Sequence, residues 1–345
     1  MAKIYGIDIY IHLTFILFIS FLIFLGIDQY GVSKGIQSVV FILAIFLTVI
    51  IHELSHSIVG IKLGGKVRSI LLLPIGGVSQ MEKIPESPVS ELKMTIAGPA
   101  TNFIIAGLVY LFTHPGFGKN FSTQFSRDFI YVNLLLGVFN LLPAFPMDGG
   151  RILRSILAIK KNYYYGTKIA IMVGKILSLT MIFAGLFFNP WISFIGIFVF
   201  FGANAEERVF LMHNFLKNVK AEEVMRNEFC IVEPEETLNN AITNCFKQGA
   251  NVILYRMEGS LFYLTKNMAA NLTKKNLSNE QMKNIGKKVM LIVSPDEPAE
   301  NIANFIFSRK AEMAAVMDNG QLKGVILQGT MSEYISFKEY MGSVK

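Results

Sequence analysis

At 345 residues the chain has room for two domains, and 52% apolar residues with a mean hydropathy of +0.46 exclude an ordinary soluble enzyme. The formal charge of +7 comes with no basic stripe interleaved with aromatics, so it reads as membrane topology and leaves nucleic acid out as a partner. Cys230 and Cys245, the only cysteines, lack close metal-ligand spacing; they predict neither a disulfide framework nor a zinc knuckle, and they suit a reducing compartment.

In chain order, six apolar runs cover residues 11–27, 36–61, 94–112, 129–145, 169–188 and a stretch from Trp191 on. Each approaches the roughly 20 residues that a membrane-spanning helix needs. Only Lys3 precedes the first run and no small-residue cleavage pattern follows before Gly31, so it is expected to be a retained helix, with His12 at the interface. Orientation follows the positive residues of the short loops. With the N-terminus inside, one side holds Lys62, Lys66, Arg68 and Lys83, then Arg151, Arg154, Lys160, Lys161 and Lys168. The other holds Lys34, Lys119 and Arg127. Six spans place both termini in the cytoplasm of a multi-pass cell-membrane protein.

The second run ends in IHELSHSIVG, residues 51–60. Positions four apart on a helix differ by about 400° of rotation, so His52 and His56 share a face, one turn apart, and can reach one metal ion. Glu53, turned by about 100°, flanks such an ion as a base. Ionisable groups at membrane depth are costly, and coordination to a cation offsets that cost.

Residues 67–81, VRSILLLPIGGVSQM, join a β-prone apolar run to Pro74 and the pair Gly76 and Gly77. They predict a hairpin or re-entrant loop whose exposed edge can pair with an extended peptide as an added strand. In the third run Pro99 predicts a kink, and Asn102, one turn on, is expected to face the protein interior.

Zinc needs a third protein ligand and an open position to do chemistry. NLLPAFPMDGGR, residues 140–151, supplies a carboxylate. Pro143 and Pro146 break the helix, Gly149 and Gly150 let the chain turn directly after Asp148, and Asp148 either completes the ligand set or caps the helix that follows. Six-span topology puts it at the same membrane face as the histidines, which favours the ligand. Lys175, two turns into the fifth span, is expected to snorkel to the surface. His114 and His213 belong to no constellation.

Beyond Glu206 the composition turns polar, and Val252 to Tyr255 and Leu322 to Leu327 read as short buried strands. VEPEETLNNAI from Val232 and VSPDEPAENIA from Val293 repeat at an offset of 61, with Gly259 answering Gly320 and Leu261 answering Leu322. Two similar α/β units are therefore expected, at 219–273 and 286–340, after a membrane domain at 1–210.

With VKAEEVM as lead-in, the pair resembles tandem CBS domains. The resemblance implies a regulatory module that binds adenine nucleotides. Ala269 and Thr330 stand where that family places an acidic residue for the ribose, so a structural module, or a homodimer joined through the pair, is the other reading.

HELSH together with NLLPAFPMDGGR resembles the site-2 proteases, intramembrane zinc metalloproteases, and in particular the prokaryotic six-span type with C-terminal CBS domains. The resemblance implies a polytopic α-helical membrane domain followed by a soluble α/β pair. It implies one Zn2+ held by His52, His56 and Asp148, with Glu53 as catalytic base, Asn140 near the substrate carbonyl, and the segment of Pro99 and Asn102 near the active site, which makes Asn102 a substrate-contact candidate. Ser55 stands where the family usually has glycine. The expected activity is hydrolysis of transmembrane protein substrates near the cytoplasmic side, within the lipid bilayer, as in regulated intramembrane proteolysis. The alternative is a metal transporter or channel with a regulatory CBS pair, and it is weakened by the lack of a second His/Asp/Glu station in the other spans.

Overall fold

A computed structural model describes residues 2–74, 76–83, 85, 87–113, 124–308 and 310–343; His114 and Lys119 lie outside them. The chain divides into two compact units, residues 1–207 and 208–345.

The first unit opens with two strands that the hydropathy pattern does not announce, β1 (Ala2–Ile4) and β2 (Ile7–Ile11). They join β3 (Lys66–Leu73) and β4 (Gly76–Lys83) in a sheet of order β1-β2-β3-β4, in which β2 and β3 run parallel and the other pairs antiparallel. The hairpin expectation for residues 67–81 thus holds, with β4 on an edge. Alternate residues Ile7, Ile9, Ile70 and Leu72 pack on Leu54 of the helix α1 (Leu13–Lys62), so burial of one sheet face fixes the sheet beside the histidine turn.

Two expected spans run on as this one helix, interrupted only by a kink at Gly31, where φ is 80° and ψ 166°. A side chain resists that conformation and glycine does not. His12 caps the helix: its Nδ1 accepts from the Thr14 N–H at 3.2 Å. Next come α2 (Pro88–Thr113), unbroken through Pro99, and α3 (Gln124–Asn140). They are followed by α4 (Asp148–Lys160), α5 (Tyr163–Phe187) and α6 (Pro190–Leu216).

Among the described residues, Gly31–Lys62, Pro88–Thr113 and Tyr163–Phe187 are long and apolar enough to cross a membrane, and Leu13–Asp28 is apolar but shorter. Two basic residues differ from expectation. Lys175 is bound to Glu207 at 2.5 Å, and Arg154 is no surface charge but is buried between carboxylates of α2 and α6. Charge counting along a sequence has no sight of such partners.

The second unit holds two copies of one motif. β5 (Phe229–Ile231) runs parallel to β6 (Val252–Met257), which turns into β7 (Ser260–Thr265), with β8 (Lys287–Lys288) beyond it. In the second copy β9 (Leu291–Val293) runs parallel to β10 (Met313–Asp318), which starts sixty-one residues after β6 and turns into β11 (Gln321–Leu327). Both hairpins turn through two residues of positive φ, Glu258-Gly259 and Asn319-Gly320, the backbone that two-residue hairpins require. Val252, Leu254, Leu261 and Tyr263 of the first copy bury against Met313, Ala315 and Val325 of the second.

One expectation is corrected here: Cys230 and Cys245 form a disulfide, with Cα atoms 5.6 Å apart. Fifteen residues separate them in sequence, and the fold alone brings β5 against the helical turn of Cys245.

Candidate metal centre and active site

Helix α1 presents His52 and His56 from consecutive turns with ring centres 4.7 Å apart. The third participant arrives from a broken segment. α3 stops at Asn140, residues 141–147 form a turn containing Pro143 and Pro146, and α4 begins at Asp148. Close packing at Gly149 and Gly150 makes the turn tight, since a Cβ at Gly149 would run into the carbonyls of Leu141 and Leu142. Ala144 and Met147 seat the turn on Val199 of α6. Met147, not Asp148, is the N-cap residue, which leaves the Asp148 carboxylate for other work.

The carboxylate meets both imidazoles. Asp148 Oδ2 lies 3.2 Å from His52 Nε2 and 3.1 Å from His56 Nε2, and the two nitrogens are 3.1 Å apart. Among the described residues this is the one His/Cys/Asp/Glu group whose ligand atoms converge on a metal-sized gap. Three ligands about 2.0–2.1 Å from one ion at tetrahedral angles stand about 3.3 Å apart, so the spacing suits zinc.

The protons agree with that geometry. His56 Nδ1–H donates to the Met94 carbonyl at 2.9 Å, and His52 Nδ1–H donates to Asn102 Oδ1 at 3.1 Å. In the neutral form of each ring Nε2 then presents a lone pair towards Asp148 Oδ2, the arrangement that a shared cation needs.

These groups line a cavity of about 650 Å³ together with Glu53, Gly76, Gly77, Asn140, Arg151 and Phe198. All eight residues singled out from the sequence, His52, Glu53, His56, Gly76, Gly77, Asn102, Asn140 and Asp148, meet there. Gly77 packs on the Glu53 side chain: a Cβ at Gly77 would lie 2.6 Å from Glu53 Cγ. Asn140 Nδ2 donates to the Leu136 carbonyl at 3.0 Å, and Ser55 Oγ sits 2.7 Å from Thr101 Oγ1, between α1 and α2.

Sequence reasoning missed two contributions from α2. One is the Met94 carbonyl. The other is Gly98, where a Cβ would collide with both Nε2 atoms, so its missing side chain is part of the gap.

In the second unit a cleft of about 500 Å³ is lined by Arg226, Glu228, Asn251, Lys266, Thr330 and Glu333, among others. Thr330 Oγ1 is engaged with the Leu327 backbone, and Ala269 is buried.

Two histidines and a carboxylate around a cation-sized gap, on apolar helices and beside a glutamate, are the arrangement that a membrane metallohydrolase needs. The comparisons agree. The model of Peptidase family M50 matches residues 40–129 and 120–181. Zinc metalloprotease MJ0392 of Methanocaldococcus jannaschii is 44% identical over 243 residues, covering 69% of each chain. The structure of the site-2 protease from Methanocaldococcus jannaschii is 43% identical, covers 60% of this chain and 93% of that one, and superposes with a TM-score of 0.44. A hexameric CBS-CP12 protein from bloom-forming cyanobacteria covers 35% of this chain at 16% identity and a TM-score of 0.32. The chain belongs to peptidase family M50, the site-2 protease family. It is a membrane zinc metalloprotease of that type, and the transporter alternative finds no support in the family model or the curated relative.

Proposed function

We propose that His52, His56 and Asp148 hold one Zn2+ and that Glu53 is the catalytic base in hydrolysis of a peptide bond within a transmembrane protein. The observation that carries the reading is the convergence of Nε2, Nε2 and Oδ2 within 3.2 Å of one another, with both Nδ1 atoms bonded elsewhere. Zinc, when bound, supplies Lewis acidity for water activation and carbonyl polarisation.

The chain's own groups do the rest. Asn102 and the Met94 carbonyl fix the imidazole tautomers. Glu53, on the cavity wall, takes a proton from the attacking water and returns it to the leaving amine. Asn140, also on that wall, donates to the developing oxyanion. A substrate helix has its carbonyls in internal hydrogen bonds and must unwind. The edge strand β4, which begins at Gly76, supports capture of the unwound stretch as an added strand, with Gly77 leaving room beside Glu53.

The same proposal includes six spans, both termini in the cytoplasm, a membrane domain at 1–210 and CBS-like repeats at 219–273 and 286–340 that regulate access. Arg226 and Lys266 are the groups of that cleft that would meet the phosphates of an adenine nucleotide, against Glu228 and Glu333 in the same lining, and a homodimer through the pair is the second reading.

The test is Glu53→Gln in detergent with a transmembrane substrate. Zinc content is expected to stay at one per chain while cleavage falls by about 10²–10⁴-fold. Undiminished cleavage refutes the assignment of the base, and loss of zinc as well refutes the separation of base from ligands.

A further inference from the structure

The proposed mechanism leaves one buried charge cluster unused. Arg154 on α4 is 5% exposed and Glu91 on α2 is 2% exposed. The Arg154 guanidinium donates through Nη2 to Glu91 Oε1 and through Nη1, at 2.9 Å, to Glu206 Oε1 on α6. Its Cζ stands 5.3 Å from the Phe145 ring centre and 5.1 Å from that of Tyr163.

Charges taken out of water lose their hydration, and well-packed apolar residues would join the same helices without that loss. Cohesion alone is therefore a poor reason for the cluster. Its position offers a better one. Phe145 lies three residues before Asp148 and Arg154 six after it, so the guanidinium grips the chain on both sides of that carboxylate. Glu91 lies three residues from Met94, about one helical turn, and the Met94 carbonyl receives the His56 Nδ1–H. One planar fork thus ties the segment that delivers the carboxylate to the segment that orients an imidazole. A lysine, with a point charge and no fork, does not reproduce two directed bonds.

We propose that Arg154, acting through Glu91, is a positioning residue that sets the separation of Asp148 from His56, and so the metal affinity of the centre. This rests on the reading of His52, His56 and Asp148 as the zinc site.

The test uses the full chain in detergent. It compares wild type, Arg154→Lys and the double variant Glu91→Gln/Arg154→Met by zinc affinity against a chelator, by the visible spectrum of the Co2+-loaded protein, and by melting of the metal-free protein. The double variant removes both fully buried charges and leaves Glu206, whose side chain is 27% exposed, without stranding a buried ion. Its metal-free melting temperature is expected to stay within a few degrees of wild type. Its zinc affinity is expected to fall about 10–100-fold with a shifted Co2+ spectrum, and Arg154→Lys is expected to give no full rescue.

Wild-type zinc affinity and Co2+ spectrum in either variant overturn the proposal, whatever happens to the melting temperature. A wild-type chain that takes up no zinc overturns the metal-site reading and this proposal together. Uptake by wild type with undiminished affinity in the variants overturns this proposal alone.

Discussion

Gly98→Ala is the sharpest perturbation of the centre, because it adds one methyl group and removes nothing. Built on the present backbone, the new Cβ falls 2.6 Å from His52 Nε2 and closer still to His56 Nε2. Ordinary carbon contacts begin near about 3.5 Å, so the His52 nitrogen would have to retreat by about 0.9 Å (3.5 minus 2.6), several times the roughly 0.2 Å that zinc–ligand distances tolerate. Neither ring retreats freely, since Nδ1 of each is tied to Asn102 or to the Met94 carbonyl. Zinc affinity should fall at least as far as for loss of a ligand-orienting partner, about 10–100-fold or roughly 1.4–2.8 kcal/mol. The helix itself gains from alanine, by up to about 1 kcal/mol. Gly107→Ala on the same helix is the control, because a Cβ there meets nothing within 4 Å. Zinc competition and substrate cleavage in detergent read the outcome: Gly98→Ala loses both and Gly107→Ala keeps both. Wild-type zinc affinity in Gly98→Ala would refute the claim that the gap between the two nitrogens is where the ion sits.

Other consequences are open to simpler measurements. Asn102→Ala leaves all three ligands in place but frees the His52 ring, and zinc affinity by chelator competition is expected to drop about 10–100-fold. In the second unit, Tyr263 donates to Glu312 Oε2 at 2.9 Å, and burial together with that carboxylate pushes its phenol well above the ordinary value. A pKa raised on folding contributes stability that is whole below about pH 10 and is lost as pH rises beyond it. Denaturant melts of the full chain should therefore weaken above about pH 10. Tyr263→Phe should flatten that fall, leaving a residue from Tyr255, whose phenol burial also raises, at a cost of about 1 kcal/mol near neutrality. Cys245→Ser opens a loop between residues 15 apart and should lower the stability of the second unit by about 3 kcal/mol; denaturant curves unchanged by the substitution and by reductant would refute the cross-link.

What the sequence discloses is periodic or contiguous. His52 and His56 are one turn apart, Pro143, Pro146 and Gly149 announce the broken segment before the carboxylate's helix, and the 61-residue offset reappears as matched hairpins at Gly259 and Gly320. What it conceals is made by distant backbone. A carbonyl such as that of Met94 has no residue type to mark it. The strands β1 and β2 are 3 and 5 residues long and gain their meaning only by pairing with β3. Arg154 reads as one more positive-inside charge until Glu91 and Glu206, 63 and 52 residues away, close on it. The Cys230–Cys245 bridge was hidden for the same reason.

Helix α2 donates no ligand, yet it explains much of the centre. Positions 91, 94, 98 and 102 of α2 fall within about 80° of one another at 100° per residue, so they form a single stripe. Along it stand a carboxylate bound to Arg154, a carbonyl bound to His56, an absent side chain at the gap, and an amide bound to His52. Each matches a specific demand of the two-histidine turn or of the segment bearing Asp148. The exposed faces of the same helix carry Ile96, Ile104, Leu108 and Leu111, which suit lipid. Hydropathy averages the two faces and reports only a membrane span. The stripe is visible once the helix is wound at 3.6 residues per turn, where a glutamate, a glycine and an asparagine on one side of an apolar helix mark the wall against which a metal-binding turn is set.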